Sequence, residues 1–168
     1  LVPGREPKWI AGIITGLRPQ MTQRGRIMIV TLDDASATLE VTVFGELYEA
    51  NRQLFKEDEF LAVQGRISED RFTGGLRITA DNVLDIAGAR VQFGKQLRFS
   101  VVEPIDMGTL QDALAPRVSK DGLPLLMRYK VNDVEFEMRL GEKWRARPDD
   151  DLTRLLMSDL KAREVTVE

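Results

Sequence analysis

The run WIAGIITGLRPQMTQRGRIMIVTLDDASATLEVTVFG, residues 9–45, holds three stretches of alternating side chains divided by a basic segment and an acidic turn. From Trp9 to Arg18, Ala11, Ile13, Thr15 and Leu17 alternate with Gly12, Ile14 and Gly16. Two glycines on one side of a strand indicate tight curvature or close backbone approach. From Arg26 to Leu32, Met28, Val30 and Leu32 share one face, and Ile27, Ile29 and Thr31 the other. From Thr38 to Phe44, Leu39, Val41 and Val43 alternate with Glu40, Thr42 and Phe44. Period two over such lengths is the strand signature.

Outward from there, Glu46 to Phe55 follows a helical period, with Leu47, Ala50, Leu54 and Phe55 on one face to plug a barrel end. Glu59–Ile67 and Leu76–Ile86 read as two more strands, separated by a loop that carries the paired Gly74-Gly75. Five strands, with a helix between the third and fourth, predict a small closed Greek-key barrel over residues 9–88, after a linker at 1–8. In such barrels the first loop and the loop between strands four and five flank a nucleic-acid groove.

Residues 89–94 read as a small-residue junction, and a second domain follows over 95–168. It has a strand at Leu97–Val102, a helix at Asp106–Ala115 stopped by Pro116, and a hairpin of Leu125–Val131 with Val134–Leu140. A two-residue turn at Asn132-Asp133 sets Tyr129 opposite Phe136, Lys130 opposite Glu135 and Arg128 opposite Glu137. The last helix opens on Asp149 to Asp151, at the end where its dipole favours negative charge, and buries Leu152, Leu155, Leu156 and Leu160. A final strand is Glu164–Val167. The fold class is therefore mainly β with α+β, and the β-α-β-β-α-β order predicts a two-layer split βαβ domain.

The 168 residues are 43% hydrophobic and 30% charged, an ordinary globular composition. Without Cys or His, thiolate and imidazole metal sites, Cys nucleophiles and Ser-His-Asp triads are excluded. The lack of Cys fits a cytoplasmic protein. The apolar runs are too short for a transmembrane helix, and the N-terminal segment lacks the apolar core of a signal peptide. A net charge of −3 means that nucleic-acid binding must come from a local patch.

That patch is the first loop, where Arg18, Arg24 and Arg26, with Gln23 among them, are placed to contact phosphates along a single strand. The bland reading is a solvated hairpin tip. Arg71 and Phe72, at the second loop, offer a base-stacking pair, although Glu69 and Asp70 beside them repel phosphate. Arg77 and Phe44 are further candidates, with Phe44 read as core. Asp33 and Asp34 read as a turn rather than a metal site. Trp144 and Arg145 read as a partner anchor, or Trp144 as the cover of the second core's edge. No spacing points to a catalytic residue, metal or cofactor.

Ala11-Gly12-Ile13-Ile14-Thr15-Gly16, Thr31-Leu32-Asp33-Asp34, Leu39-Glu40-Val41, Gly65-Arg66-Ile67 and Gly74-Gly75-Leu76-Arg77-Ile78-Thr79-Ala80 form a set of short motifs along the barrel, and on them it resembles the C-terminal region of the bacterial DNA polymerase III alpha subunit. In the second domain the resemblance is carried by Leu140-Gly141, Trp144-Arg145 and Leu155-Leu156. The resemblance implies an OB-fold that holds single-stranded template, and a domain that docks the clamp-loader tau subunit. Arg18 and Arg24 match basic first-loop residues of that family, while Gln23 stands where a Lys is often found. The sliding clamp is a further expected partner, on an incomplete motif: some members finish in an aromatic clamp-binding tail, whereas this chain ends Glu164-Val165-Thr166-Val167-Glu168. The family's catalytic aspartates lie in a palm domain outside this stretch, so a non-catalytic replication module is expected. The alternatives are a pure protein-interaction fragment and an anticodon-type RNA-binding module.

Overall fold

A computed structural model describes residues 3–23, 25–69, 76–131 and 134–168. The chain divides into two compact units between Ile86 and Ala87.

The first unit is a closed barrel of β1 (Gly4–Thr22), β2 (Gly25–Asp33), β3 (Thr38–Phe44), β4 (Phe60–Glu69) and β5 (Leu76–Leu84), in the order β1-β2-β3-β5-β4. Closure depends on β1, which is 19 residues long. Its first part pairs with β4, up to Ile13 opposite Phe60, and its second part pairs with β2, from Ile13 opposite Asp33. The pairing shifts register between Ile14 and Gly16, the kind of bulge that bends a strand around a barrel. A Cβ on Gly12 would lie 2.8 Å from the Asp33 carbonyl oxygen, so glycine is required for this approach. Ile14, Met28, Val30, Leu32, Val41, Val43, Leu61, Val63 and Ile78 fill the interior.

Residues 4–8 are not the expected linker. They extend β1, with Gly4 opposite Ile67 and Lys8 opposite Gly65. The ladder is irregular between these pairs, which accommodates Pro7 with no N–H to donate. The expected helix is also shorter: α1 covers Gly45–Ala50, and a single 3-10 turn follows at Arg52–Leu54. The Asn51 side chain donates to the Leu47 carbonyl at 3.0 Å and ends the helix. Ala50 is therefore exposed, and Tyr48 packs on Phe55 with ring centroids 5.0 Å apart.

The second unit contains α2 (Ile86–Phe93), β6 (Leu97–Val101), α3 (Met107–Leu114), β7 (Val118–Val131), β8 (Val134–Arg139), β9 (Arg145–Ala146), α4 (Asp150–Ser158) and β10 (Glu164–Val167). The expected junction is thus largely helical. Its small residues serve packing: Ala87 and Ala89 are buried, and a Cβ on Gly94 would meet the Arg90 carbonyl and Val167 at 2.5 Å. The sheet order is β10-β6-β7-β8, with β6 and β7 adjacent and parallel. This corrects the split βαβ expectation, which would place another strand between them. Leu125, Leu126 and Met127 of β7 are buried in succession, so β7 suits a central position, whereas β8 is exposed along most of its length and suits the edge.

The expected hairpin register is observed from Met127 opposite Met138 to Val131 opposite Val134; its turn, Asn132-Asp133, lies outside the described residues. Arg128 lies 2.9 Å from both Glu135 and Glu137, and the Tyr129 and Phe136 ring centroids are 5.1 Å apart. One sheet face packs Leu97, Phe99, Val101, Leu125 and Met127 against Leu110 and Leu114 of α3 and Leu152 and Leu156 of α4. Both helices are capped: Asp106 accepts from the Thr109 N–H at 2.9 Å, and Asp149 from the Leu152 N–H at 2.7 Å.

Gly65→Ala tests barrel closure, because the added Cβ would lie 2.5 Å from the Thr79 carbonyl oxygen. We expect destabilisation of about 1–3 kcal/mol in denaturant titration. A second prediction concerns acid. The Thr109 N–H, followed by the Thr109 hydroxyl, holds the Asp106 carboxyl below its usual pKa. A carboxylate with a depressed folded pKa contributes stability above its unfolded pKa, and that contribution is lost as pH falls through the folded value. The melting-temperature gap between the unsubstituted protein and Asp106→Ala should therefore be largest near neutrality and close on acidification.

Candidate nucleic-acid interface

The basic segment is a continuation of the barrel rather than an open loop. β1 and β2 pair out to Thr22 opposite Gly25. Gly25 takes a positive φ of 105°, which favours glycine, and the Thr22 hydroxyl donates to its carbonyl at 2.8 Å. Gln23 is exposed at the tip; Arg24 lies outside the described residues.

Register sorts the arginines. Arg18 is opposite Ile29, on the ribbon face turned away from the core residues Leu17, Met28 and Val30. Arg26 is opposite Met21 and, by the two-residue period, belongs to the other face. The two therefore do not converge on one groove. The Arg18 side chain is 68% exposed and lies 3.6 Å from Glu40, an ion pair worth about 0–1 kcal/mol at such exposure.

Arg18 starts a row across the outer barrel face. Ile29 pairs with Thr42, Thr42 with Thr79, and Thr79 with Arg66. The neighbours in sequence, Val30, Val41, Val43, Ile78 and Ile67, point into the core. Arg66 is engaged by Asp81, with its Nε and Nη2 donating at 3.1 and 3.0 Å. Arg77, two positions before Thr79, is exposed on the same face. Phe44, opposite Ile27, is also on this face and 41% exposed, which corrects its reading as core. Three strand spacings separate β1 from β5, so Arg18 and Arg77 flank a floor of Ile29, Thr42 and Thr79 roughly 14 Å across. Glu40 is the acid within it.

The other candidates are placed as follows. Arg71 and Phe72 lie outside the described residues. Asp33 accepts from the Ala35 N–H at 2.7 Å, and one Asp34 oxygen accepts from the Ser36 and Ala37 N–H groups at 3.0 Å, a turn in which these carboxylates hold backbone. Trp144 is half-buried against the second core. Arg145 donates from Nε to the Gly122 carbonyl at 3.0 Å and lies 3.4 Å from Glu142. Sequence reasoning left the Ile29–Thr42–Thr79 floor unassembled, because it requires knowing that β3 pairs with β5.

Residues 8–86 match the family described as an OB-fold nucleic acid binding domain, and residues 109–162 match the C-terminal domain of DNA polymerase III subunit alpha. The DNA polymerase III subunit alpha of Escherichia coli K12 is 36% identical over 163 residues, covering 94% of this chain. The chain matches the C-terminal region of the DNA polymerase III alpha subunit family. The Pseudomonas aeruginosa subunit is 32% identical over 159 residues, or 93% of this chain. The chain spans 14% of the length of these curated relatives. Among solved structures, the second OB-fold domain of replication protein A from Methanococcus maripaludis aligns over 51% of this chain and 88% of that chain, at 18% identity and a TM-score of 0.40. RecG bound to a three-way DNA junction aligns over 51% of this chain and 11% of that one, at 21% identity and a TM-score of 0.41.

Because Arg18 is exposed and its ion pair is solvent-screened, Arg18→Ala should leave the unfolding free energy within about 0.5 kcal/mol in denaturant titration.

Proposed function

We propose that this stretch of a replicative polymerase subunit holds single-stranded DNA on the outer face of its barrel. The observation that supports this reading is the placement of Arg18, Phe44 and Arg77 on one face, around Ile29, Thr42 and Thr79. Exposed guanidinium groups at the margins suit phosphates, and an exposed ring suits stacking with a base. Gln23 at the hairpin tip, Arg26 on its other face, and Arg24, Arg71 and Phe72 remain secondary candidates. Glu40 opposes phosphate, and the net charge is −3, so binding is modest and salt-sensitive.

The second unit, in this reading, docks the clamp-loader tau subunit. The parent chain would be a DNA-directed DNA polymerase whose nucleotidyl transfer takes place elsewhere. Among the described residues no helix is long and apolar enough to cross a membrane, and we place the protein in the bacterial cytoplasm with the rest of the replication machinery.

Fluorescence anisotropy with a labelled oligo-dT, repeated across salt concentrations, tests the barrel. Phe44→Ala should cost about 1–3 kcal/mol of binding. Arg18→Ala combined with Arg77→Ala should weaken binding and make the salt slope shallower by about 1.4, at about 0.7 per phosphate contact on a single strand. Glu40→Gln should strengthen it. Isotherms unchanged by all of these would overturn the reading. Tighter binding to oligo-rU than to oligo-dT would move it to the RNA-binding alternative.

A further inference from the structure

The outer row of the barrel ends on β4 at Arg66, on the margin already held by Arg77. Arg66 pairs with Thr79 and Ser68 with Arg77, so the two arginines are diagonal neighbours about 7–8 Å apart across the β4–β5 ladder. Arg66 uses two of its five N–H donors, both on Asp81.

A bulge places Asp81 for this contact. Gly65 pairs with Ala80 and Gln64 with Asn82, which leaves Asp81 as the extra residue of β5. Such bulges re-aim a side chain. Here the carboxylate meets the guanidinium side-on, with Nε donating to Oδ2 at 3.1 Å and Nη2 to Oδ1 at 3.0 Å. Arg18, by contrast, has a single 3.6 Å contact to Glu40. The fork of an arginine accepts two oxygens of a carboxylate or two of a phosphate in the same geometry. Asp81 therefore occupies the place that a phosphate would take. The pair is open to water, with the Arg66 side chain 63% and the Asp81 side chain 33% exposed, so one anion can replace the other without burying a charge.

We propose that Arg66 is a further DNA-contacting residue and that Asp81 is its internal competitor. The inference rests on the strand-holding role proposed for the barrel and adds to it what limits the grip. Before contact, Asp81 positions the guanidinium and cancels its charge, so Arg66 adds nothing to long-range attraction. On contact, two phosphate oxygens replace Oδ1 and Oδ2, and the carboxylate is left to water. This exchange gains less than capture by an unpaired arginine, so the strand is released readily and can move along the barrel. The bland reading is a cross-strand ion pair that only fixes register beside the bulge. It gives Asp81 no effect on DNA that depends on Arg66.

The test is a double-mutant cycle on the full chain, read by anisotropy with labelled oligo-dT across salt concentrations. Asp81→Asn keeps the shape and removes the charge. It should tighten binding about two- to fivefold, the scale of one exposed ion pair. It should also steepen the salt slope by about 0.7, for one more phosphate contact on a single strand. With Arg66→Ala already in place, the same substitution should leave the slope unchanged and the affinity nearly so. In the unsubstituted protein, the Arg66 Nε–H resonance should shift as oligo-dT saturates, a readout that depends on neither variant folding. An equal gain with and without Arg66 means bare repulsion by Asp81 and would overturn the proposal. An Arg66 resonance that stays fixed through saturation would overturn it too. Failure of the strand-holding role looks different: no isotherm for the unsubstituted chain, or one untouched by Arg18→Ala combined with Arg77→Ala, removes the site and Arg66's part with it. Binding that this pair weakens, with Asp81→Asn silent, keeps the site and sinks only the competitor.

Discussion

The shared use of β1 is the constraint from which the first unit follows. One strand must be hydrogen-bonded to β4 along its first half and to β2 along its second, and it can do so only by bending between them. The bend is placed where Ile14 reaches the core and Gly12 lies against Asp33. Once β1 has closed the cylinder, β3 is brought beside β5, and the outer faces of four strands become one surface. The candidate site is therefore a product of closure and not of any one loop.

The electrostatics of that surface reflect a compromise. Positive groups stand at the margins, and Ile29, Thr42 and Thr79 lie between them, with Glu40 beside Arg18. A protein of slightly negative net charge arranged this way gains little from long-range attraction. Contact has to come from groups already in position, and the pairing of Arg66 with Asp81 removes one of them.

Much of this was legible in the sequence where a local rule was strict. The hairpin of β7 and β8 was readable to the residue, because a two-residue turn and strict alternation allow one register. The apolar face of β3, with Leu39, Val41 and Val43, was readable against Glu40 and Thr42, whereas both faces of β2 are apolar and alternation alone did not choose between them. What escaped was non-local or depended on small residues. Gly4–Lys8 looked like a linker because its prolines obscure a strand, and Ala87-Gly88-Ala89 looked like a junction because close packing and a lack of structure use the same residue types. The position of β7 in its sheet lay in burial on both faces, which alternation alone does not reveal. Phe44 ends a strand whose apolar set is the opposite one, so its outward direction was present in the pattern, but its hydrophobicity pointed the other way. The segment from Arg18 to Arg26 stands out by composition, yet its pairing to the tip sets Arg18 and Arg26 on two different faces.

The long pairing of β1 has a mechanical corollary. The hydrogen bonds to β4 lie across the strand axis, as in any antiparallel ladder. Tension along β1 loads those bonds in shear, so that they yield together instead of peeling apart from one end.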